Sequence, residues 1–304
     1  MNSEIHKDIQ IIKLDVGERI ISANGKLYQI IRLINVGKNG AVFLVKCNAS
    51  VNNKKYALKI QYNLLERRLK RFNREVEFLK KQNKPWLLSY QDEGIITYAN
   101  KSYPFVVTPY YPYTLEEYIV LKNVCHSKKI KFACNLAMAL CYLKECNMVH
   151  RDIKPQNILT NGKHIVLADF GLIKSVLESN STKKCIDIFL ASSSMPRYYR
   201  TPELVAYARG ETHAFYTESD TFQMGLVFSW LFTGKNPLLS SDDKLSDIIL
   251  SDIPVVKGFE GKCINKFITA MLEMDYSKRI APHEVANELL RIYKAIFLDG
   301  SQVV

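Results

Sequence analysis

The chain has 304 residues, with 42 Lys and Arg against 30 Asp and Glu, for a formal charge of +12. That length suffices for a large core and two lobes or domains. No apolar run approaches the ~20 residues of a membrane span, and seven scattered cysteines without a C-x-x-C pair argue against a disulfide framework or a zinc site.

The N-terminus, Met1 to Asp8, is polar and lacks the apolar core of a signal peptide. With the cysteine usage, it leads to the expectation of a reducing compartment, cytoplasmic or nuclear. Residues 1–26 stand ahead of the first strand as an extension, either a docking arm or a solvated segment. Three short strand patterns follow: Tyr28 to Asn35, Ala41 to Cys47 and Lys55 to Ile60. Gly37-Lys38-Asn39-Gly40 separates the first two, and Asn52-Asn53-Lys54 the next two. Leu65, Leu69, Phe72, Val76 and Leu79 then recur at helical spacing. Glu75 lies beside Val76 and so points toward the apolar side, where a carboxylate needs a cationic partner. Two more strands, Gly94 to Tyr98 and Tyr103 to Thr108, flank the turn Ala99-Asn100-Lys101. Pro109 to Tyr113 reads as a linker. From Leu115 onward helical patterns dominate, the clearest being Ile130 to Leu143. Phe222 to Phe232 reads as a buried helix. A small β-rich lobe, a linker and a larger helical lobe make an α+β arrangement.

The positive charge is spread along the chain. A solvated Lys-rich surface is its plain reading, and nucleic acid, an anionic membrane or an acidic protein are the functional ones. Nucleic acid is not the expected partner.

The chemistry concentrates in one stretch. His150-Arg151-Asp152-Ile153-Lys154-Pro155-Gln156-Asn157 is followed closely by Asp169-Phe170-Gly171. Together these offer a general base, a phosphate-binding lysine and two hard-oxygen magnesium ligands, the groups that phosphoryl transfer from ATP needs. In these two signatures the chain resembles the eukaryotic-type protein kinases, over residues 20–298.

The resemblance implies a bilobal kinase fold. Its parts are an extension at 1–26, an N-lobe at 27–108, a hinge at 109–114, a C-lobe at 115–298 and a tail at 299–304. It further implies roles residue by residue. Asp152 would orient the acceptor hydroxyl and take its proton, Lys154 would neutralise charge on the γ-phosphate, and Asn157 and Asp169 would hold Mg²⁺. Ala57-Leu58-Lys59 resembles the family's A-x-K, so Lys59 would bind the α- and β-phosphates of ATP. Glu75 would pair with Lys59, with Glu77 as the alternative.

Val36-Gly37-Lys38-Asn39-Gly40-Ala41-Val42 resembles the Gly-rich loop, with Asn35 replacing the first glycine. Val36, Gly37, Gly40, Val42, Ala57, Thr108 and Leu159 would surround the nucleotide, with Thr108 guarding the back of the pocket. Thr201-Pro202-Glu203 resembles the Ala-Pro-Glu that closes the activation segment, Arg279 would pair with Glu203, and Asp220 would brace the catalytic loop.

Lys154 resembles the Ser/Thr branch, so the expected partner is a protein substrate phosphorylated on Ser or Thr. Gln156 stands where arginine-directed kinases tend to carry Glu, which leads to an acidic or neutral substrate context. Arg151 would answer a phosphate within residues 181–194, with Thr182, Ser192, Ser193 and Ser194 as acceptors. Pro196 stands where the family usually has a hydroxyl. A scaffold that keeps the fold without efficient phosphotransfer is the alternative.

Overall fold

The computed structural model describes residues 14–48, 54–176, 197–212, 214, 216–239, 241, 243–258 and 260–298. The chain separates into two compact units, Met1–Pro112 and Tyr113–Val304.

The first unit is a six-stranded antiparallel sheet with one long helix. Its strands are β1 (Arg19–Ile21), β2 (Leu27–Val36), β3 (Gly40–Cys47), β4 (Lys55–Gln61), β5 (Asp92–Tyr98) and β6 (Lys101–Pro109), in the spatial order β1-β2-β3-β4-β6-β5. The alternation read from the sequence is the reason. Tyr28, Ile30, Phe43, Val45, Leu58, Ile60, Phe105 and Val107 all face one core. β1 falls within the N-terminal extension of the sequence reading and is too short to give a period of its own. It pairs with β2 through Arg19↔Gln29 and Ile21↔Leu27. The β5–β6 turn has Ala99 at φ 47° and Asn100 at φ 59°, the left-handed pair that a tight hairpin uses.

α1 (Glu66–Lys81) buries Phe72, Val76, Phe78 and Leu79 on one stripe, with Glu75 among them. Leu65, expected at the start of that stripe, is 49% exposed and lies just outside the helix.

The sheet edges β1 and β5 are tied to each other at Asp92, which is fully buried. Its carboxylate accepts from Ser22 Oγ at 2.7 Å, Asn24 Nδ2 at 2.8 Å and Tyr28 Oη at 3.1 Å. The Ala23 amide donates to the Glu93 carbonyl at 2.7 Å beside it. Removing the carboxylate strands buried hydroxyls of Ser22 and Tyr28, at about 1–3 kcal/mol for each buried group left unmade. Asp92→Ala is therefore expected to lower unfolding stability by roughly 2–4 kcal/mol. Denaturant titration reads this directly, and an unchanged midpoint would show that the latch contributes nothing.

The second unit holds six helices among its described residues: α2 (Leu115–Leu121), α3 (His126–Glu145), α4 (Pro202–Arg209), α5 (Glu218–Thr233), α6 (Gly261–Met271) and α7 (Pro282–Leu298). It also holds the short strands β7 (Tyr113–Thr114), β8 (Met148–Val149), β9 (Ile158–Thr160), β10 (Ile165–Leu167) and β11 (Lys174–Ser175). α5 is buried nearly all round, through Phe222, Met224, Leu226, Val227, Phe228 and Leu231. It packs on α3 and α6. Gly225 permits this closeness, since a Cβ there would lie 2.9 Å from Met271. No described helix is long and apolar enough to cross a membrane.

Candidate active site

Two short antiparallel strand pairs present the His150–Asn157 segment. β8 pairs with β11 through Val149↔Lys174, and β9 pairs with β10 through Ile158↔Leu167. The second register sets Asn157 opposite Ala168, whose amide donates to the Asn157 carbonyl at 2.9 Å. Asp169, next in the chain, is thereby brought beside Asn157. The two residues expected to hold Mg²⁺ are neighbours because of a strand register.

Between the strand pairs, the loop is held from α5. Asp220, buried in the first turn of that helix, accepts from the His150 amide at 2.6 Å and the Arg151 amide at 2.9 Å. Gln223, one turn on, accepts from the Ile153 amide at 2.9 Å and donates to the Tyr199 carbonyl at 2.7 Å. These bonds keep Arg151 at φ 70°, a left-handed conformation that costs a residue with a side chain on the order of 1–3 kcal/mol. Asp169 is left-handed too, at φ 61°.

His150 is fully buried, and burial drives its pKa down to about 4, so the ring is neutral. Its Nε2 lies 3.0 Å from the Ala168 carbonyl and must carry the proton there, while Nδ1 accepts from the Asp152 amide at 3.3 Å. The imidazole thus links the Asp152 segment to the Asp169 segment.

Asp152 is 7% exposed. Lys154 Nζ donates to its two oxygens at 2.9 and 2.8 Å, and Asn157 Nδ2 donates to its Oδ2 and its carbonyl, each at 2.8 Å. Burial raises the Asp152 pKa to about 6, with Lys154 the chief opposing influence. With Asn157 Nδ2 turned to Asp152, its Oδ1 is left for a cation. That oxygen and the Asp169 carboxylate form a hard donor set that fits Mg²⁺.

In the first unit, Lys59 Nζ meets both oxygens of Glu75, at 2.9 and 2.8 Å. Glu75 is buried, and Glu77 lies instead on the exposed side of α1, 3.9 Å from Lys81. Lys59 stands in register with Val42 on β3 and Val106 on β6, and Ala57 with Thr108. Val36 and Gly37 close the β2–β3 hairpin, where the Gly37 amide donates to the Gly40 carbonyl at 2.8 Å. Gly40 carries a further constraint, since a Cβ there would lie 1.9 Å from the Ile60 carbonyl oxygen. Leu159 is half-buried on β9, opposite Val166.

The pair Glu203–Arg279 is buried, with Arg279 Nη1 donating to Glu203 Oε2 at 3.0 Å and Ser219 Oγ to the same oxygen at 2.9 Å. Thr182, Ser192, Ser193, Ser194 and Pro196 lie outside the described residues. Two contributors were not singled out from the sequence: the His150 ring and Gln223. Gln223 had a signal, since it falls three residues after Asp220 and so on the same helix face.

A sequence model of the protein kinase domain matches residues 28–290. The chain is 31% identical to the probable serine/threonine-protein kinase glkA of Dictyostelium discoideum, over 75% of this chain and 46% of that protein. It is 25% identical to the serine/threonine-protein kinase Sgk1 of Xenopus tropicalis, over 90% of this chain and 62% of that protein. It is 26% identical to the serine/threonine-protein kinase cds1 of Schizosaccharomyces pombe, over 89% of this chain and 59% of that protein. The chain therefore spans between 46% and 62% of the length of these relatives.

Proposed function

The chain belongs to the protein kinase family, and from that premise we propose that it is an ATP-dependent serine/threonine protein kinase. The observation that carries the proposal is the convergence of Lys154 and Asn157 on the Asp152 carboxylate, with Asp169 brought alongside by the β9–β10 register.

Asp152 orients the hydroxyl of a Ser or Thr in a protein substrate and takes its proton. The hydroxyl oxygen bonds to the γ-phosphorus as the bond to the bridging oxygen breaks and ADP leaves. Lys154 neutralises charge on the transferring group, and Lys59, held by Glu75, binds the α- and β-phosphates. Asn157 and Asp169 would hold Mg²⁺, which when bound would neutralise charge on the phosphate oxygens. Val36, Gly37 and Gly40 belong to the loop over the phosphates, Ala57 and Val42 cover the adenine ring with Leu159 beneath it, and Thr108 guards the back of the pocket. Most of the acceleration comes from positioning and electrostatics. Phosphorylation within residues 181–194, answered by Arg151, raises activity. The six described cysteines are all free, which supports a cytoplasmic or nuclear location.

The test is transfer of label from γ-labelled ATP to a protein substrate, followed by phosphoamino-acid analysis. Label on Ser or Thr is expected, and nucleotide binding without transfer would favour a scaffold. A base with a pKa of about 6 must be deprotonated to work. Below that value kcat/KM is expected to fall about tenfold per pH unit, as protons occupy Asp152. A profile flat from pH 7 to pH 5 would remove Asp152 from that role.

A further inference from the structure

α2 ends on two adjacent exposed apolar residues, Val120 at 75% and Leu121 at 64% exposure, with Lys122 directly after them. A single exposed apolar side chain needs no explanation. An adjacent pair at a helix end, beside charge of one sign, has the character of a surface that a partner covers.

Two rings gather that charge. Tyr113 and Tyr118 have their centroids 5.7 Å apart. Lys122 Nζ sits 5.9 Å from the centre of the Tyr113 ring. Lys128 Nζ sits 5.5 Å from the centre of the Tyr118 ring and donates to its hydroxyl at 3.0 Å. The β9–β10 turn closes on the same tyrosine, since a Cβ on Gly162 would lie 2.8 Å from the Tyr118 hydroxyl oxygen. Lys163, next in the chain, is exposed.

The local electrostatics leave this charge uncompensated. Lys128 stands in the first turn of α3, a helix of 20 residues with no acidic residue in that turn, so the positive end of the helix dipole adds to its charge. The carboxylates of α2 are at its other end and are engaged: Glu117 accepts from the Thr114 amide, and Glu116 from Gln156 Nε2, each at 2.8 Å. Among the described residues none of Lys122, Lys128 and Lys163 is in an ion pair. Holding like charges together costs energy that an anion from outside recovers.

We propose that this surface docks an acidic segment of a partner protein. Its carboxylates meet Lys122, Lys128 and Lys163, and an apolar residue beside them covers Val120 and Leu121. The apolar pair favours a peptide over a bare polyanion, because a phosphate backbone has nothing with which to cover it. Docking here does not depend on phosphotransfer, so binding alone reads it.

The full chain is titrated into a series of fluorescein-labelled peptides, in which a Leu-Leu pair is flanked by Gln or by increasing numbers of Glu, with anisotropy as readout. Affinity should rise with the number of Glu, and the all-Glu peptide should bind at least roughly tenfold more tightly than the all-Gln peptide. Added salt should shrink that gap. Lys122→Gln with Lys163→Gln, both at exposed positions, should remove most of it. Val120→Ser with Leu121→Ser should weaken the whole series and keep the gap. Arg67→Gln with Lys101→Gln takes the same charge from exposed positions of the other unit and should change neither. Peptides that bind no better with Glu than with Gln overturn the proposal. So does a gap that survives the Lys122 and Lys163 changes, or one that falls equally in the Arg67 and Lys101 protein. A single-stranded oligonucleotide that binds and is released by the Lys122 and Lys163 changes, while no peptide binds, overturns it in favour of nucleic acid.

Discussion

Asp152→Ala is expected to lower phosphotransfer by at least about a hundredfold, the typical contribution of a positioned general base. The loss should fall on kcat. Two features of the loop say why. The Asn157 side chain bonds to the Asp152 backbone carbonyl as well as to the carboxylate, each at 2.8 Å, so the first contact survives the substitution. The backbone is also held by Asp220 and Gln223, neither of which touches the Asp152 side chain. The metal-holding geometry should therefore persist while proton acceptance is lost. Asp152→Asn sharpens the result, because it keeps the shape and removes the base. Equal losses in the two variants place the effect on chemistry. A rate within a few-fold of wild type in both would show that proton acceptance by this residue is not used.

Arg279→Ala should destabilise the protein by about 3–5 kcal/mol, the cost of breaking one side of a buried ion pair. The Arg279 side chain is fully buried, and that of Glu203 is nearly so. The guanidinium also donates to the Glu273 carbonyl at 2.7 Å and the Glu218 carbonyl at 2.9 Å, and lies 4.8 Å from the centre of the Phe222 ring. Its removal leaves the Glu203 carboxylate with Ser219 as its remaining described partner. The double substitution Glu203→Leu with Arg279→Met removes both charges and should cost less than Arg279→Ala alone, since no unpaired ion remains. Thermal and denaturant unfolding of the three proteins check this. A single variant that costs under about 1 kcal/mol would show that the pair is dispensable.

The grouping of Lys154 and Asn157 about Asp152 was legible in the sequence, because these residues lie within one short segment. Glu75 was legible by a different route. Its place on the apolar stripe of α1 demanded a cation, and Lys59 supplies it. What was not legible depends on contacts between remote residues. Asp92 sits in an ordinary strand, and nothing local says that Ser22, Asn24 and Tyr28 converge on it. β1 has three residues and forms because β2 offers an edge, which no periodicity encodes. The left-handed backbone at Arg151 runs against the propensity of that residue and is imposed by its surroundings, whereas Asp169 is of a type that tolerates it.

The proposed function requires Asp152, Asn157 and Asp169 to serve one magnesium–nucleotide complex. Calorimetric titration of ATP into the Asp152→Ala protein, with and without Mg²⁺, tests it most directly, because binding is read there apart from turnover. The account predicts an affinity that rises on adding Mg²⁺ and loses that rise when Asp169→Ala is added to the same protein. Nucleotide binding indifferent to the metal, or a metal response untouched by loss of Asp169, would contradict it.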